Sequence, residues 1–428
     1  MRTTGSLLLA SLLILASSAS AAPPDQMATL GGALYRDTNL SKNANQSCMT
    51  CHHPSAGFAD PANRVKPTLL PVSEGSIPGL FGGRNAPTAA YAGFSPPFHY
   101  DADEELYIGG MFWDGRATGL TPTLGDPLAE QALGPFLNPV EMALANKAEV
   151  IEIVKTSDYA DLFLKVFGTD AFADVDAAYD NVGRAIAAFE RSSTITRFNS
   201  KFDKFWAEQG GDVSGFGVDA DGNYVGLKPK FKSKHFTRQE AEGLALFNAA
   251  NKGMCALCHL TTNHEMTDSA GQVVQVAPLF TDFTYDNLGI PRNPRIAELA
   301  GAQPIDYGLG AMVAQIKMAN SALDPALGIS TQPSGSTDNP YIEVVTSEAG
   351  KFKVPTLRNV ERTAPFGHNG FFATLEEITR FYNTRDVPEA GWPEPEVALN
   401  VNTDELGDLG LSPEEEAAIV AFMRTLTD

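Results

Sequence analysis

Two short cysteine and histidine motifs carry the clearest chemistry in this sequence. In each, two cysteines are separated by two residues and followed at once by a histidine: Cys48, Cys51 and His52, then Cys255, Cys258 and His259. Two thiols at this spacing can add to the two vinyl groups of a haem, and the adjacent imidazole can bind its iron from one side. We therefore predict two covalently bound c-type haems.

The cysteine count bears on the competing interpretations. One isolated copy of the motif fits half of a zinc site or a redox-active dithiol as well as it fits haem. The chain has 4 cysteines and the two motifs use all of them, so none remains for a separate disulfide or for a four-thiolate zinc site within either half. The remaining alternative to haem is one zinc cluster that bridges the two cysteine pairs.

Residues 1–21 predict a secretory signal peptide. Arg2 gives a positive start, residues 7–16 form a short apolar run, and residues 19–21 are small enough for cleavage. The run is too short to span a bilayer, although a retained membrane anchor is an alternative. Export agrees with covalent haem, which bacteria attach outside the cytoplasm, and with a mature chain that keeps no spare thiol. We expect a periplasmic protein with no membrane span after cleavage.

Length and charge limit the classes of protein. A chain of 428 residues that is 43% hydrophobic can bury two cores and suits two or three domains. The formal net charge of −21 argues against binding of nucleic acid or of an anionic membrane surface. It favours a basic partner, but an acidic surface is also a common solubility device.

Helices are predicted directly before both motifs. Apolar residues at helical spacing mark the first of these helices: Met27, Leu30, Leu34 and Tyr35. Thr237 and Glu240 form a capping box at the start of the second. This repeated order predicts a mainly α-helical chain with an N-terminal haem domain over 22–207, a linker over 208–235 and a C-terminal haem domain over 236–428.

Further elements follow from local patterns. Residues 147–167 and 176–205 predict amphipathic helices. Two more capping boxes begin at Thr374 and Ser412. Residues 219–223 faintly resemble a calcium loop, but the glycine is misplaced and no glutamate closes the loop, so we expect a linker or hairpin there.

Longer blocks of sequence resemble the bacterial dihaem cytochrome c peroxidase and MauG family. They run in the family's order across nearly the whole mature chain and comprise residues 40–60, 83–88, 112–116, 130–142, 352–359 and 363–370. The resemblance implies two cytochrome c-like domains with long loops, whose haems face a shared interface. Residues 119–127 look like an insertion relative to the simpler peroxidases.

The resemblance also assigns chemistry to the first half. Family members with an inactive resting state place a histidine between the positions of His52 and Asn85, where this chain has only His53 and no methionine. A five-coordinate first haem, open to hydrogen peroxide, is therefore expected, with His99 as the rival sixth ligand. We interpret His53 as a surface residue or a propionate contact.

Four residues match the family's catalytic positions in the first half. A carboxylate in an apolar haem pocket can take a proton from one peroxide oxygen and pass it to the other, and the resemblance gives that role to Glu141. It places Gln131 and Pro135 on the same distal face and Trp113 between the haems, where an oxidisable indole can carry a hole. By sequence alone, Glu141 could be an exposed helix residue and Trp113 a core residue.

Tyr382 decides between two branches of the family. Counted from His368, it stands where the peroxidases have the methionine that binds the second iron and where MauG has a tyrosine. A thioether stabilises ferrous iron, whereas a phenolate stabilises ferric and higher states. The alternative is that Tyr382 is a core aromatic and that Met312 or Met318 reaches the iron.

The resemblance implies one further metal and a region for partners. Asn85, Thr363 and Pro365 match the positions that hold a calcium ion between the haem domains, and oxygen ligands of this kind suit calcium. Residues 303–350 form a longer region than in the small peroxidases, rich in Pro, Gly, Ser and Asp. We expect loops there that contribute a surface for a partner.

Three functions remain in competition. The leading hypothesis is an oxidoreductase that uses hydrogen peroxide to form high-valent haem and oxidises a tryptophan side chain of a secreted or periplasmic partner protein, as MauG does. The first alternative is a cytochrome c peroxidase that takes electrons from a small cytochrome or copper protein. The second is a non-catalytic electron-transfer dihaem cytochrome.

Overall fold

The computed structural model describes residues 24–267, 273–319 and 346–428. The predicted signal peptide lies outside these residues, as do 320–345 within the predicted loop region 303–350. The loop prediction is wrong for Leu309–Ala319, which form a helix, because apolar residues of this stretch, among them Leu309 and Val313, pack into a buried cluster. In the described parts of the chain, no helix has the length and apolar character needed to cross a membrane.

The chain is mainly α-helical, as predicted. The first half contains α1 Pro24–Arg36, α2 Cys48–Cys51, α3 Pro61–Val65, α4 Pro127–Leu137, α5 Lys147–Lys155, α6 Ala160–Phe167, α7 Val175–Glu190 and α8 Lys201–Glu208. The second half contains α9 Arg238–Asn248, α10 Pro294–Ala300, α11 Leu309–Ala319, α12 Leu375–Thr384 and α13 Pro413–Arg424. The second cysteine motif begins in a 3₁₀ turn, Cys255–Leu257.

The strands form short antiparallel pairs. These are β1 His99–Asp101 with β2 Leu106–Ile108, β3 Gly217–Val218 with β4 Tyr224–Val225, β5 His264–Thr267 with β6 Val273–Val276, and β7 Tyr285–Asp286 with β8 Phe352–Lys353. The β3–β4 pair confirms the hairpin predicted around residues 219–223. The Asp219 carboxylate accepts hydrogen bonds from the backbone of Asp221 at 3.0 Å and Asn223 at 2.8 Å, so it stabilises the turn.

Each cysteine motif follows a helix that crosses a second helix at very short range. A Cβ on Gly31 of α1 would overlap the carbonyl oxygen of Ala185 on α7, and a Cβ on Gly243 of α9 would overlap that of Ala418 on α13. Only glycine permits this approach. The same pair of crossed helices therefore positions the motif in both halves, which accounts for the repeat seen in the sequence.

Two large apolar clusters form the core. The first is built around α1 and α7, and the second around α9 and α13. Phe202 and Phe205 of α8 pack into the second cluster, although the predicted division assigns them to the N-terminal domain.

Helix boundaries follow the capping residues. The predicted helical stretch 147–167 divides into α5 and α6, and 176–205 divides into α7 and α8. Ser200 and Asp203 form a capping box that starts α8 as a separate helix. The capping boxes predicted at Thr237, Thr374 and Ser412 are all present.

Candidate functional site

The first cysteine motif opens onto a cavity of about 460 Å³. Cys48, Cys51 and His52 all line it. The Tyr35 hydroxyl donates to the backbone oxygen of His52 at 3.0 Å, and Nδ1 of His52 lies 3.1 Å from the backbone oxygen of Phe58. Since a carbonyl only accepts, Nδ1 donates and Nε2 is left as the ligand atom. Burial lowers the pKa of His52, which keeps the ring neutral, as a metal ligand must be.

The three predicted distal residues line the same cavity as His52. Gln131 and Pro135 lie one turn apart on α4, and Glu141 follows in the next loop. Nδ2 of Asn138 donates to Oε1 of Glu141 at 2.7 Å. Burial raises the pKa of Glu141, and the Arg116 charge and the Asn138 hydrogen bond oppose this. The structure thus places a half-buried carboxyl group in the cavity predicted to hold the first haem.

The two histidines weighed as extra contacts of the first haem lie elsewhere. Nδ1 of His53 hydrogen bonds to Oγ of Ser55 at 2.8 Å, and Nδ1 of His99 lies 2.9 Å from the backbone oxygen of Pro97. Neither is among the described residues that line the first cavity. The sequence argument considered only the stretch before Asn85, and three residues beyond it do line the cavity: Met111, Met142 and His368. The five-coordinate state stays a prediction.

A second cavity of about 190 Å³ lies at the other motif. Its lining includes Cys255, Cys258 and His259. Nδ1 of His259 lies 2.9 Å from the backbone oxygen of Phe280, so Nδ1 donates and Nε2 is again the nitrogen left to serve as a ligand. Burial lowers the pKa of His259 to about 4, although the hydrogen bond to Phe280 opposes the shift. Both motifs therefore present a neutral, oriented imidazole beside two thiols.

Tyr382, on α12, also lines the second cavity. Burial raises the pKa of its phenol, and the nearby Cys258 and Asp286 add to this effect. Met312 packs in a separate cluster with Phe98 and Tyr107, and the side chain of Met318 lies outside the described part of the structure. Among the described side chains, the methionines that line the second cavity are Met254 and Met423, which the sequence argument did not consider.

The four thiols are not gathered into one cluster. None is in a disulfide, and each pair lines a different cavity. Among the described residues, the metal-type grouping that includes a cysteine joins Cys258 to Asp286 and Glu405, with ligand atoms within 4.8 Å of one another. No thiol of the first motif belongs to it, so the zinc cluster bridging both pairs is not supported. Paired thiols with a neutral histidine in each cavity fit covalent haem.

Trp113 lies at the junction of the two cavities and lines both of them. Its Nε1 donates to the backbone oxygen of Asn85 at 2.8 Å, and its own backbone oxygen accepts from the backbone N–H of Lys353 at 2.8 Å. The backbone N–H of Asn85 in turn donates to the backbone oxygen of His368 at 2.8 Å. The indole is thus held by segments from both halves of the chain.

The residues predicted to bind calcium meet beside the same junction. Asn85, Thr363 and Pro365 all line the second cavity. Nδ2 of Asn85 donates to the backbone oxygen of Pro71 at 2.9 Å, so the amide oxygen is the end of this side chain available to a cation. The calcium role itself stays a prediction.

Three residues around the cavities, two of them buried and Lys353 half-buried, escaped the sequence argument. His368 lines both cavities and stacks on Phe352 with ring centroids 3.5 Å apart, and neither of its nitrogens has a hydrogen-bond partner within the described ranges of the chain. Burial lowers the pKa of Lys353 to about 7, and its Nζ bonds to the Ser95 hydroxyl. Glu190 lines the first cavity. The feature of the sequence that could have identified Glu190 is its position four residues after Ile186, on the apolar face of α7.

Comparisons with known proteins agree with this geometry. Residues 25–211 match the family described as di-haem cytochrome c peroxidase. The methylamine utilization protein MauG of Paracoccus denitrificans is 35% identical over 437 residues, covering 98% of this chain and 94% of that protein. The cytochrome c551 peroxidase of Nitrosomonas europaea is 27% identical over 403 residues, covering 94% of this chain and 80% of the peroxidase.

Solved structures extend the likeness to the whole fold. The dihaem peroxidase BthA of Burkholderia thailandensis has a TM-score of 0.68 at 26% identity, covering 96% of this chain and 89% of BthA. A MauG-like protein associated with microbial copper homeostasis has a TM-score of 0.57 at 25% identity, covering 98% of this chain and 96% of that chain.

Proposed function

Because the chain belongs to the dihaem cytochrome c peroxidase and MauG family, we propose that it uses hydrogen peroxide to oxidise a tryptophan side chain of a partner protein. The chain is a dihaem c-type oxidoreductase. The finer assignment depends on one observation: Tyr382 lines the cavity that holds Cys255, Cys258 and His259. A phenolate ligand at this position favours oxidised iron, and a second haem of that kind is suited to pass on oxidising equivalents.

Glu141 supplies the acid and base function of this proposal. A haem held by Cys48, Cys51 and His52 would supply an iron atom able to bind peroxide. Glu141 would take the proton from the peroxide oxygen nearer the iron and deliver it to the other oxygen. That oxygen can then leave as water when the O–O bond breaks. Asn138 fixes the carboxylate through the hydrogen bond of 2.7 Å to Oε1. Gln131 and Pro135 shape the space in which the peroxide lies.

Trp113 carries the oxidising equivalent between the two cavities in this proposal. It lines both, and its hydrogen bond to Asn85 fixes the ring plane. A calcium ion held by Asn85, Thr363 and Pro365 would stabilise the same junction. We also propose secretion to the periplasm, where the partner protein would be met.

A cytochrome c peroxidase is the second candidate, with a small cytochrome or copper protein as the electron donor. It is favoured by the likeness to the Nitrosomonas europaea peroxidase and to BthA. A non-catalytic electron-transfer protein has less support, because Gln131, Pro135 and Glu141 converge on the first cavity, and an electron carrier does not need them.

A mixing experiment separates the two catalytic candidates. Purified diferric protein is mixed with hydrogen peroxide and followed by visible absorption, with and without prior reduction by one electron. A long-lived spectral change without reduction supports oxidation of a partner protein. A response only after reduction, together with rapid oxidation of a reduced small cytochrome, supports the peroxidase. Absence of any response in both states would leave the electron-transfer protein.

A further inference from the structure

A second acid, Glu190, lies in the first cavity. It is the last residue of α7, and its side chain lines the same cavity as Cys48, His52 and Glu141. Glu190 is 4% exposed, and its Oε2 atom has no hydrogen-bond partner among the described residues. Buried polar atoms are normally paired, so an unpaired carboxyl oxygen in a cofactor cavity calls for a functional explanation.

The nearest cation does not neutralise Glu190. Arg191 follows it directly, but both terminal nitrogens of that guanidinium bind the carboxylate of Asp126, at 2.7 and 2.8 Å. Burial raises the pKa of Glu190 to about 8, the Arg191 charge opposes this shift, and the Asp126 charge adds to it. The carboxyl group is therefore mostly protonated at neutral pH.

Peroxide chemistry needs a source of protons beyond Glu141. Hydrogen peroxide takes up two electrons and two protons to become two water molecules, whereas Glu141 only moves a proton that the peroxide already carries. A neutral acid in the same cavity can lose its proton when the site becomes more positive and recover it when electrons return. Coulombic interaction across a buried cavity is strong enough to link these events.

We propose that Glu190 is the proton-exchanging group that balances charge at the first haem. When this site gives one electron to an external oxidant, such as the mediator of a redox titration, the carboxyl O–H bond of Glu190 breaks and the proton passes to solvent. Return of the electron returns the proton. This inference rests on the first haem of the proposed function, but its test uses neither peroxide nor a partner protein, so the two can fail separately.

Few groups near Glu190 could release and take up a proton in the same way. The titratable or charged groups around Glu190 are Tyr35 and Arg36 on α1, Cys48 on α2, Asp126 before α4, Arg191 after α7 and Glu141 across the cavity. Burial raises the pKa of the Tyr35 phenol, the hydrogen bonds and charge of Arg191 hold the pKa of Asp126 below its usual value against the effect of burial, and Cys48 would be bound in a thioether. Burial raises the pKa of both carboxyl groups that remain among those named, Glu141 and Glu190, and the Glu141→Gln variant separates them.

The test is the pH dependence of the first haem's midpoint potential, measured by optical redox titration from about pH 6 to about pH 9, on either side of the raised pKa. In the wild type, the potential falls as pH rises, because the carboxylate stabilises the oxidised form. In Glu190→Gln, this dependence is lost and the potential stays near the low-pH wild-type value. Glu141→Gln keeps the dependence, and so does Glu152→Gln, a control at an exposed glutamate of α5.

Difference infrared spectra provide an independent reading on the same proteins. Oxidation of the wild type should remove the carbonyl stretch of a protonated carboxylic acid, and Glu190→Gln should lack that change. Glu190→Asp, which keeps an acid, should restore a pH dependence if Glu190→Gln folds poorly. A wild-type potential that does not vary with pH, or an unchanged dependence in a folded Glu190→Gln protein with full haem content, would overturn the proposal.

Discussion

The indole N–H of Trp113 donates a 2.8 Å hydrogen bond to the backbone oxygen of Asn85. Trp113 lines both cavities, and Asn85 is one of the residues predicted to bind calcium. The proposed route between haems and the proposed metal site therefore share one residue. This link lets the two roles be separated by experiment, because Asn85 serves the indole through its backbone and would serve the cation through its side chain.

Trp113→Phe should slow transfer between the haems without slowing the reaction with peroxide. Phenylalanine keeps an aromatic ring but is much harder to oxidise and cannot donate to Asn85. We expect the response of the second haem to slow by about tenfold or more, equivalent to about 1.4 kcal/mol of barrier, in stopped-flow absorption. Trp392→Phe is the matched control, since that indole donates to Thr384. Equal rates in Trp113→Phe and the wild type would exclude the route.

Glu141→Gln should slow the peroxide step by about 10²-fold, because glutamine cannot exchange the proton. Burial raises the pKa of Glu141, and the base must be ionised to act. The wild-type rate should therefore fall as pH drops through a pKa above the usual value of about 4.3. The rate of Glu141→Gln should not show this fall at low pH. The control is Glu394→Gln at an exposed position. A full rate in Glu141→Gln would remove this residue from the mechanism.

Calcium should be present at one ion per chain and should depend on the side chain of Asn85. Asn85→Ala removes the amide oxygen but keeps the backbone oxygen that accepts from Trp113. We expect elemental analysis after dialysis to find the ion in the wild type and not in this variant, with the covalent haem content unchanged. Removal of calcium from the wild type with a chelator should slow electron transfer between the haems, and Asn85→Ala should show the same slower transfer. Equal calcium in both proteins would refute the assignment.

Arg358→Met should strongly destabilise the fold. Arg358 is fully buried and binds both carboxylate oxygens of Asp203 on α8, at 3.1 and 2.9 Å. Breaking such a pair leaves a buried charge without a partner and costs about 3–5 kcal/mol, which urea unfolding would measure. The double variant with Asp203→Asn should recover part of this loss. A single variant as stable as the wild type would contradict the expectation.

The same pair should make stability depend on pH. Burial alone would raise the pKa of Asp203, but the hydrogen bonds and charge of Arg358 outweigh it and hold that pKa below its usual value. The contribution should be complete above the unfolded-state value of about 3.9 and should be lost as pH falls through the lower folded value. This acid-side loss should be smaller in the double variant.

Local rules predicted the parts of the fold that neighbouring residues determine. The helix before the first motif and the capping boxes at Thr237, Thr374 and Ser412 are all present. The break between α7 and α8 was missed, because the capping box of Ser200 and Asp203 lies within a stretch with continuous apolar periodicity. Periodicity reports which face is buried, not where the chain changes direction.

Long-range contacts could not be read from the sequence. Arg358 and Asp203 are 155 positions apart in the sequence, and the sequence around either residue does not predict the other as its partner. Trp113 was placed between the two haems only by family resemblance, and its hydrogen bond to Asn85 was not predicted. Glu190 was missed because a single glutamate on an apolar helix face is usually near the surface, and its burial depends on how α7 crosses α1.

The central claim is that Tyr382, which lines the same cavity as His259, would bind the iron of the second haem. Resonance Raman spectroscopy of the diferric protein, excited in the phenolate-to-iron charge-transfer region, tests it most directly. The account predicts tyrosinate modes in the wild type, their loss in Tyr382→Phe, and in Tyr382→Met a higher potential within the range of about 0.8 V that axial ligands span. Spectra without tyrosinate modes, together with the near-infrared absorption of a methionine ligand from Met254 or Met423, would contradict it.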